Sequence, residues 1–230
     1  MITKYLLSLF ILFGALGSSR AKAQGEDANH GPYGFIRLLN AVSMGTGQLD
    51  FLIDGKPVRP EGYQLGDMTG GIALHPKSYN VEIRREGVKK GQTKVNVVNN
   101  DTTTLVPFAE LVPASDERPA HWEIRILRLK QFDPTSKRTA TFVSVSHEPE
   151  MKIEIQQSNE KWDPIVVKRF NVARTDIHQA HGYLPIRFKD RQLKAMSIAP
   201  SGNFVSVLYD DENGVVQSKN FIDYKYLSAD

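Results

Sequence analysis

From Phe35 onward the apolar positions recur with a period of two rather than 3.6. Met151, Ile153 and Ile155 alternate with Lys152, Glu154 and Gln156; Val81 and Ile83 alternate with Glu82 and Arg84; Val95 and Val97 flank Asn96. Successive side chains of a strand point to opposite faces, so this pattern predicts strands with one face buried and the other in water. Turn signals separate them: Asp54-Gly55, Gly70-Gly71, Glu86-Gly87, Asn99-Asn100-Asp101, Ser201-Gly202 and Asn213-Gly214. Short strands at this spacing, without a long amphipathic helix, predict an all-β chain built as antiparallel β-sandwiches.

The pattern also repeats when the chain is slid by about one hundred residues. Phe35-Ile36-Arg37-Leu38-Leu39 answers to Phe142-Val143-Ser144-Val145-Ser146, and Gln48 to Ile53 answers to Met151 to Gln156. Val81 to Arg84 matches Leu184 to Arg187, and Lys94 to Val97 matches Ala195 to Ile198. Each repeat closes with a strand pair, Thr104 to Val112 with Trp122 to Lys130 and Phe204 to Tyr209 with Val215 to Asp223. The prediction is two tandem β-sandwich domains, 31–132 and 139–227, joined by a short polar linker over 133–138 that carries Pro134.

The first residues follow a different rule. Lys4 precedes an apolar run of 12 residues, Tyr5 to Leu16, and the triplet Ala21-Lys22-Ala23 follows. This is the form of a secretory signal peptide over 1–23, cut before Gln24. A bilayer span needs about 20 apolar residues, so the run predicts export without a membrane span in the mature protein. Absence of cysteine among the 230 residues excludes a lipidated N-terminal cysteine, a disulfide scaffold and a Cys-ligated zinc site.

Export also changes the charge. Lys4, Arg20 and Lys22 leave with the leader, so the 29 basic residues fall to 26, equal to the 26 acidic ones. A neutral exported chain lacks the electrostatic footprint of a nucleic-acid binder. The repeats are balanced too, with 13 basic against 14 acidic residues from Gln24 to Asp133 and 13 against 12 beyond.

The chemistry-bearing residues favour binding over catalysis. His178-Gln179-Ala180-His181 is the one suggestive histidine spacing, in a loop with only Asp176 as a nearby carboxylate, and no metal is predicted there. There is no G-x-S-x-G elbow, and Asp210-Asp211-Glu212-Asn213-Gly214 reads as a hairpin turn without the spaced oxygens of a calcium loop. No catalytic residue and no cofactor is assigned. Candidate binding residues are Arg187, Lys189 and Arg191, whose period of two places three cations on one side of a strand running into a turn, with Lys194 just beyond. Trp162, beside Asp163-Pro164, is a candidate stacking platform, whereas Trp122 starts a strand and is expected in the core.

Gly31-Pro32-Tyr33-Gly34 followed by Phe35-Ile36-Arg37-Leu38-Leu39-Asn40-Ala41 resembles the opening of a family of exported bacterial β-sandwich domains, whose first strand reads F-[IV]-R-[LV]-x-N-A. The strand L-D-F-L-I-D-G-K from Leu49 and Y-N-V-E-I-R from Tyr79 are similar as well. The second repeat departs from the motif, with Ser144 in place of the arginine and Ser146-His147-Glu148 in place of the x-N-A ending. Two such domains after a signal peptide resemble the periplasmic accessory protein family of alginate O-acetylation. The resemblance implies a non-enzymatic, monomeric periplasmic protein that works beside membrane-bound and periplasmic acetyltransferase components on a secreted exopolysaccharide, with an anionic polysaccharide as a further candidate partner. The alternative expectation is a cell-surface or matrix carbohydrate-binding or adhesion module without a role in acetylation. A third, a hydrolase or transferase acting on the polymer, requires a histidine constellation such as one using His178 and His181.

Overall fold

The computed structural model describes residues 32–134, 138–158 and 161–230, with the side chain of Ser158 left out. The expected leader, residues 1–23, lies outside the described residues, as does the middle of the expected linker, residues 135–137. No helix among the described residues is long and apolar enough to cross a membrane.

The chain is all-β. The first half runs through β1 (Gly34–Leu38), β2 (Thr46–Ile53), β3 (Lys56–Pro57), β4 (Ile72–Leu74), β5 (Ser78–Glu86), β6 (Val88–Asn96), β7 (Thr102–Val112) and β8 (His121–Phe132). The second half has β9 (Thr139–Ser144), β10 (Glu150–Ser158), β11 (Lys161–Lys168), β12 (Val172–Asp176), β13 (Gly182–Leu184), β14 (Ile186–Phe188), β15 (Arg191–Gln192), β16 (Met196–Ile198), β17 (Asn203–Asp210), β18 (Val216–Asp223) and β19 (Tyr226–Ala229). Most tight turns fall on the residues whose chemistry permits positive φ: Asp54-Gly55, Gly87, Asn100, Gly202 and Gly214.

Pairing order recurs between the halves. One set of four runs β3-β2-β5-β6 in the first half and β11-β10-β14-β15 in the second; the other runs β4-β1-β7-β8 and β12-β9-β17-β18. The two parallel pairings at the centre also correspond, Phe35 opposite Thr102 and Ala140 opposite Phe204. Pro185, which lacks a backbone donor, separates β13 from β14. Together they occupy the place of β5, because β13 pairs with β16 and β14 with β10 and β15.

Alternating side chains sort into three hydrophobic clusters among the described residues. Ile36, Leu38, Phe51, Ile83 and Leu105 centre the first, and Phe142, Met151, Ile153, Ile186 and Phe204 centre the second. A third cluster joins the halves: Leu39, Val106, Phe108, Leu127 and Leu129 meet Val143, Val145, Val205, Val207, Tyr209 and Leu227. β9 is accordingly buried at every residue, sending Ala140 and Phe142 one way and Val143 the other. β17 does the same with Phe204 and Leu208 against Val205 and Val207. β19 then crosses back and pairs antiparallel with β8, Tyr226 opposite Phe132. The described residues form one compact unit as a result.

Candidate functional site

The opening strand shows what its motif does. Ile36 and Leu38 enter the first core, while Leu39 and Ala41 enter the cluster between the halves. Arg37 reaches across to Asp223, its Nη1 donating to Oδ2 at 3.1 Å, and its guanidinium lies 5.0 Å from the Phe221 ring centroid. The Asp223 carboxylate is almost wholly buried and also accepts from Gln131 Nε2 at 2.6 Å and from the Lys225 amide at 3.0 Å. Asn40, fully buried, donates from Nδ2 to the carbonyls of Tyr63 and Gln64 and accepts the Val42 amide on Oδ1. A buried amide satisfied on both sides fixes the backbone that it holds, here the long connection between β3 and β4.

That connection, residues 58–71, forms one wall of a recess at the end of the junction. Gly66 within it has φ +80°, and a β-carbon there would lie 2.5 Å from the Tyr209 hydroxyl, so both the left-handed backbone and the contact require glycine. Burial raises the Tyr209 phenol above its ordinary pKa, and the charges of Asp211 and Asp67 add to this. The recess has a volume of about 380 Å³ and is lined by Gln48, Gln64, Leu65, Arg85, Glu212 and Asn213, among others. Arg85 is buried; it donates to the Val42 carbonyl and to Glu212 Oε1 across the junction at 3.3 Å. Asp211 at the base of the turn would be raised by burial. Donation from the Val215 amide, Gln217 Nε2 and the Asn213 amide outweighs this and holds it below the ordinary carboxylate range.

A smaller recess of about 170 Å³ adjoins the other side of the same turn, lined by Met44, Phe108, Trp122, His147, Arg169 and Asp210 among others. Arg169 makes a two-pronged pair across the junction with Glu110, both contacts at 3.0 Å, and stacks 4.4 Å from the Phe170 ring centroid. His147 Nδ1 lies 2.8 Å from Asp210 Oδ2, and the Ser146 hydroxyl donates to the other oxygen of the same carboxylate at 2.7 Å. Serine, histidine and aspartate therefore meet here, but the hydroxyl and the imidazole both face the carboxylate. A nucleophile chain requires the imidazole between the other two, so this arrangement holds the turn rather than activating the serine.

The residues singled out from sequence lie elsewhere. Arg187 is on β14, where it donates to Glu154 at 2.6 Å and covers the Trp162 ring at 4.2 Å from the centroid. Trp162 is half-buried on β11 beneath that guanidinium. The strand ends at Phe188: Lys189 takes φ +56° in the turn and pairs with Glu148 at 3.2 Å, and Arg191 lies on the next strand opposite Phe188. Arg187 is opposite Gln192, so the expected row of cations along one strand is replaced by a hairpin that divides them. Lys194 is exposed just beyond. His178 and His181 are both exposed, and no group of three or more His, Asp or Glu among the described residues is arranged to hold a metal.

Trp122 differs from its expected place in the core. It sits opposite Leu111 near the free end of the β7–β8 pair, where the core has run out, and is half-buried in the wall of the smaller recess. Arg85 and residues 58–71 carried no signal in the repeat, because the second half has no counterpart of that loop. No protein-family model and no curated protein matches this chain.

Proposed function

We propose that the chain is a non-enzymatic, exported accessory protein, two tandem β-sandwich domains acting in the periplasm. It supports O-acetylation or export of a secreted exopolysaccharide such as alginate by binding acetyltransferase components. The observation that carries the binding role is the end of the junction where the two halves, alike in pairing order, diverge. There the 58–71 loop, the β17–β18 turn and the half-exposed Trp122 and Met44 surround the two recesses, with Leu111 and Phe170 exposed alongside. Tryptophan, methionine, phenylalanine and arginine around a shallow recess are the composition of protein-interface anchors. The acidic and basic groups of this surface are engaged in holding its loops, which supports recognition rather than turnover. Export is supported by the residues from Lys4 to Ala23 and the exopolysaccharide context by the Phe35 to Ala41 resemblance.

The test is affinity capture of the tagged mature protein from the periplasm and envelope of its native host, with co-purifying proteins identified by mass spectrometry. Acetyltransferase or polysaccharide-synthase components are expected at near-equal stoichiometry, and Trp122→Ala should abolish their capture while leaving the circular dichroism spectrum unchanged. Recovery of the protein alone, or with polysaccharide only, overturns the accessory role.

A further inference from the structure

The charge balance of the first half conceals a segregated surface. Asn80, Glu82 and Arg84 of β5 and Lys90, Gln92 and Lys94 of β6 alternate onto the outer face of their sheet, with Glu82 opposite Gln92 and Asn80 opposite Lys94. β6 then meets β8 in parallel at Lys89 and Glu123. Gly91 permits this approach, since a β-carbon there would lie 2.8 Å from the Ile124 carbonyl oxygen. Two adjoining grooves follow the seam, of about 440 and 420 Å³, sharing Gln92 and Thr93 in their walls. Six cations line them, Arg84, Lys89, Lys90, Lys94, Arg125 and Arg128, against three acids, Glu82, Glu123 and Asp230.

The depth of these charges matters more than their number. The Glu82 and Glu123 side chains are only 15% and 12% exposed, whereas Arg84, Lys89, Lys90 and Arg125 around them are 52–60% exposed. The two recessed carboxylates orient these cations, which face outward, and of the three acids only Asp230, at the end of the groove beside Arg128, is itself exposed. Hydrogen bonds from Lys90, followed by those from Gln92 and Arg84, hold the Glu82 pKa down to about 2 against the opposing effect of burial, so the anchor stays ionised. A groove with an excess of exposed cations at its rim and amides in its walls attracts a ligand that repeats the opposite charge along its length.

We propose that this groove across β5, β6 and β8 binds a carboxylated, polyanionic polysaccharide chain, carboxylates on the exposed Arg84, Lys89, Lys90 and Arg125 and hydroxyls on Asn80 and Gln92. The choice of polysaccharide over other polyanions rests on the exopolysaccharide reading above; the positive surface is a property of the strands themselves. Polymer binding is measured with the purified chain and polymer alone, so its outcome is independent of whether acetyltransferase components are captured.

The experiment is calorimetric titration of the full chain with polygalacturonate oligomers at low and at physiological salt, with uncharged dextran oligomers and a short DNA duplex in parallel. Polygalacturonate is expected to bind, to weaken as salt rises, and to lose roughly tenfold or more in affinity in the double variant Lys89→Ala/Arg125→Ala. The variant Arg191→Ala/Lys194→Ala, on the second half, should bind as the parent does. Both pairs are exposed, and unchanged circular dichroism verifies the fold. Absence of polygalacturonate binding, equal binding of dextran, tighter binding of the duplex, or a loss that follows Arg191 and Lys194 instead overturns the proposal.

Discussion

The two halves of this molecule share one pairing order and differ in where they spend their residues. Between the third and fourth strands of the first half lie residues 58–71; between the corresponding β11 and β12 lie only residues 169–171, with Phe170 at φ +63° making the tight turn. The second half instead extends the hairpin, β11 having eight residues where β3 has two. Closure differs as well. In the first half β6 pairs with β8, whereas in the second Asn220 and Ser218 of β18 hold the Lys194 and Ala195 backbone through side-chain hydrogen bonds. A shared strand order thus sets the scaffold; the unshared 58–71 loop walls the recess at the junction, and the unshared β6–β8 pairing joins shared strands into the cationic groove.

The largest effect should come from the layer that makes the halves one body. Val205→Asp places an unpaired charge in the cluster between the sheets and is expected to cost about 4 kcal/mol or more. The protein carries its own reporters, since Trp122 is in one half and Trp162 in the other. In urea, the single-tryptophan variants W122F and W162F should unfold at one common midpoint, and Val205→Asp should move both together. Separate midpoints, with only the Trp162 signal displaced, would break the picture of a shared core.

Next in size is the Arg37–Asp223 contact. Asp223→Ala leaves a largely buried guanidinium and the Gln131 amide without their acceptor, and a loss of about 3 kcal/mol in urea unfolding is expected. The comparison sharpens at the following site, Asn40, which the sequence register matches to His147, although the backbone bonds of Leu39 and Val145 align it with Ser146, one residue earlier. Asn40→Ala should cost about 2 kcal/mol by stranding buried backbone groups, whereas His147→Ala, at an exposed ring, should cost less than about 0.5 kcal/mol. Equal costs in the same unfolding assay would mean that the motif acts alike in both repeats, against the structure.

Much of this order was legible because period two and turn chemistry are local. The closing pairs of each repeat, and the β2–β5 and β10–β14 pairings, join the strands that the self-comparison matches, but the residue register is slipped by one: Phe51 is opposite Ile83, whereas Ile155, rather than Glu154, is opposite Ile186. The unmatched loop was hidden because the longer β11 restores the spacing that the short β11–β12 turn removes, so Val81 and Leu184 stay in register. The doubly buried β9 was hidden for another reason: Thr141, Ser144 and Ser146 are polar letters at buried positions, and alternation alone marks them as wet. Trp122 and Arg85 depend on where two sheets end against each other, which no local pattern encodes. The cationic groove was masked by a net charge that counts recessed carboxylates and exposed cations equally.

The smallest effect compares the outer faces of the halves through their acids. Glu82 is held by Lys90, Gln92 and Arg84, while Glu154, chiefly through its hydrogen bond from Arg187, is lowered by less. A carboxylate whose folded pKa lies below its unfolded value stabilises the fold above the unfolded value and loses that contribution as pH falls through the folded one. For Glu82 the window therefore runs from near the ordinary 4.5 down to about 2. The stability difference between the parent and Glu82→Gln should be constant from pH 7 to about 5, shrink below that, and vanish near pH 2. Glu154→Gln should converge with the parent at a higher pH, because a single arginine releases its proton acceptor sooner than three donors do. Urea midpoints measured across that range decide it. Convergence at the same pH for both variants would show that the dense donor set around Glu82 does not form, removing the recessed anchor that turns the first-half cations outward.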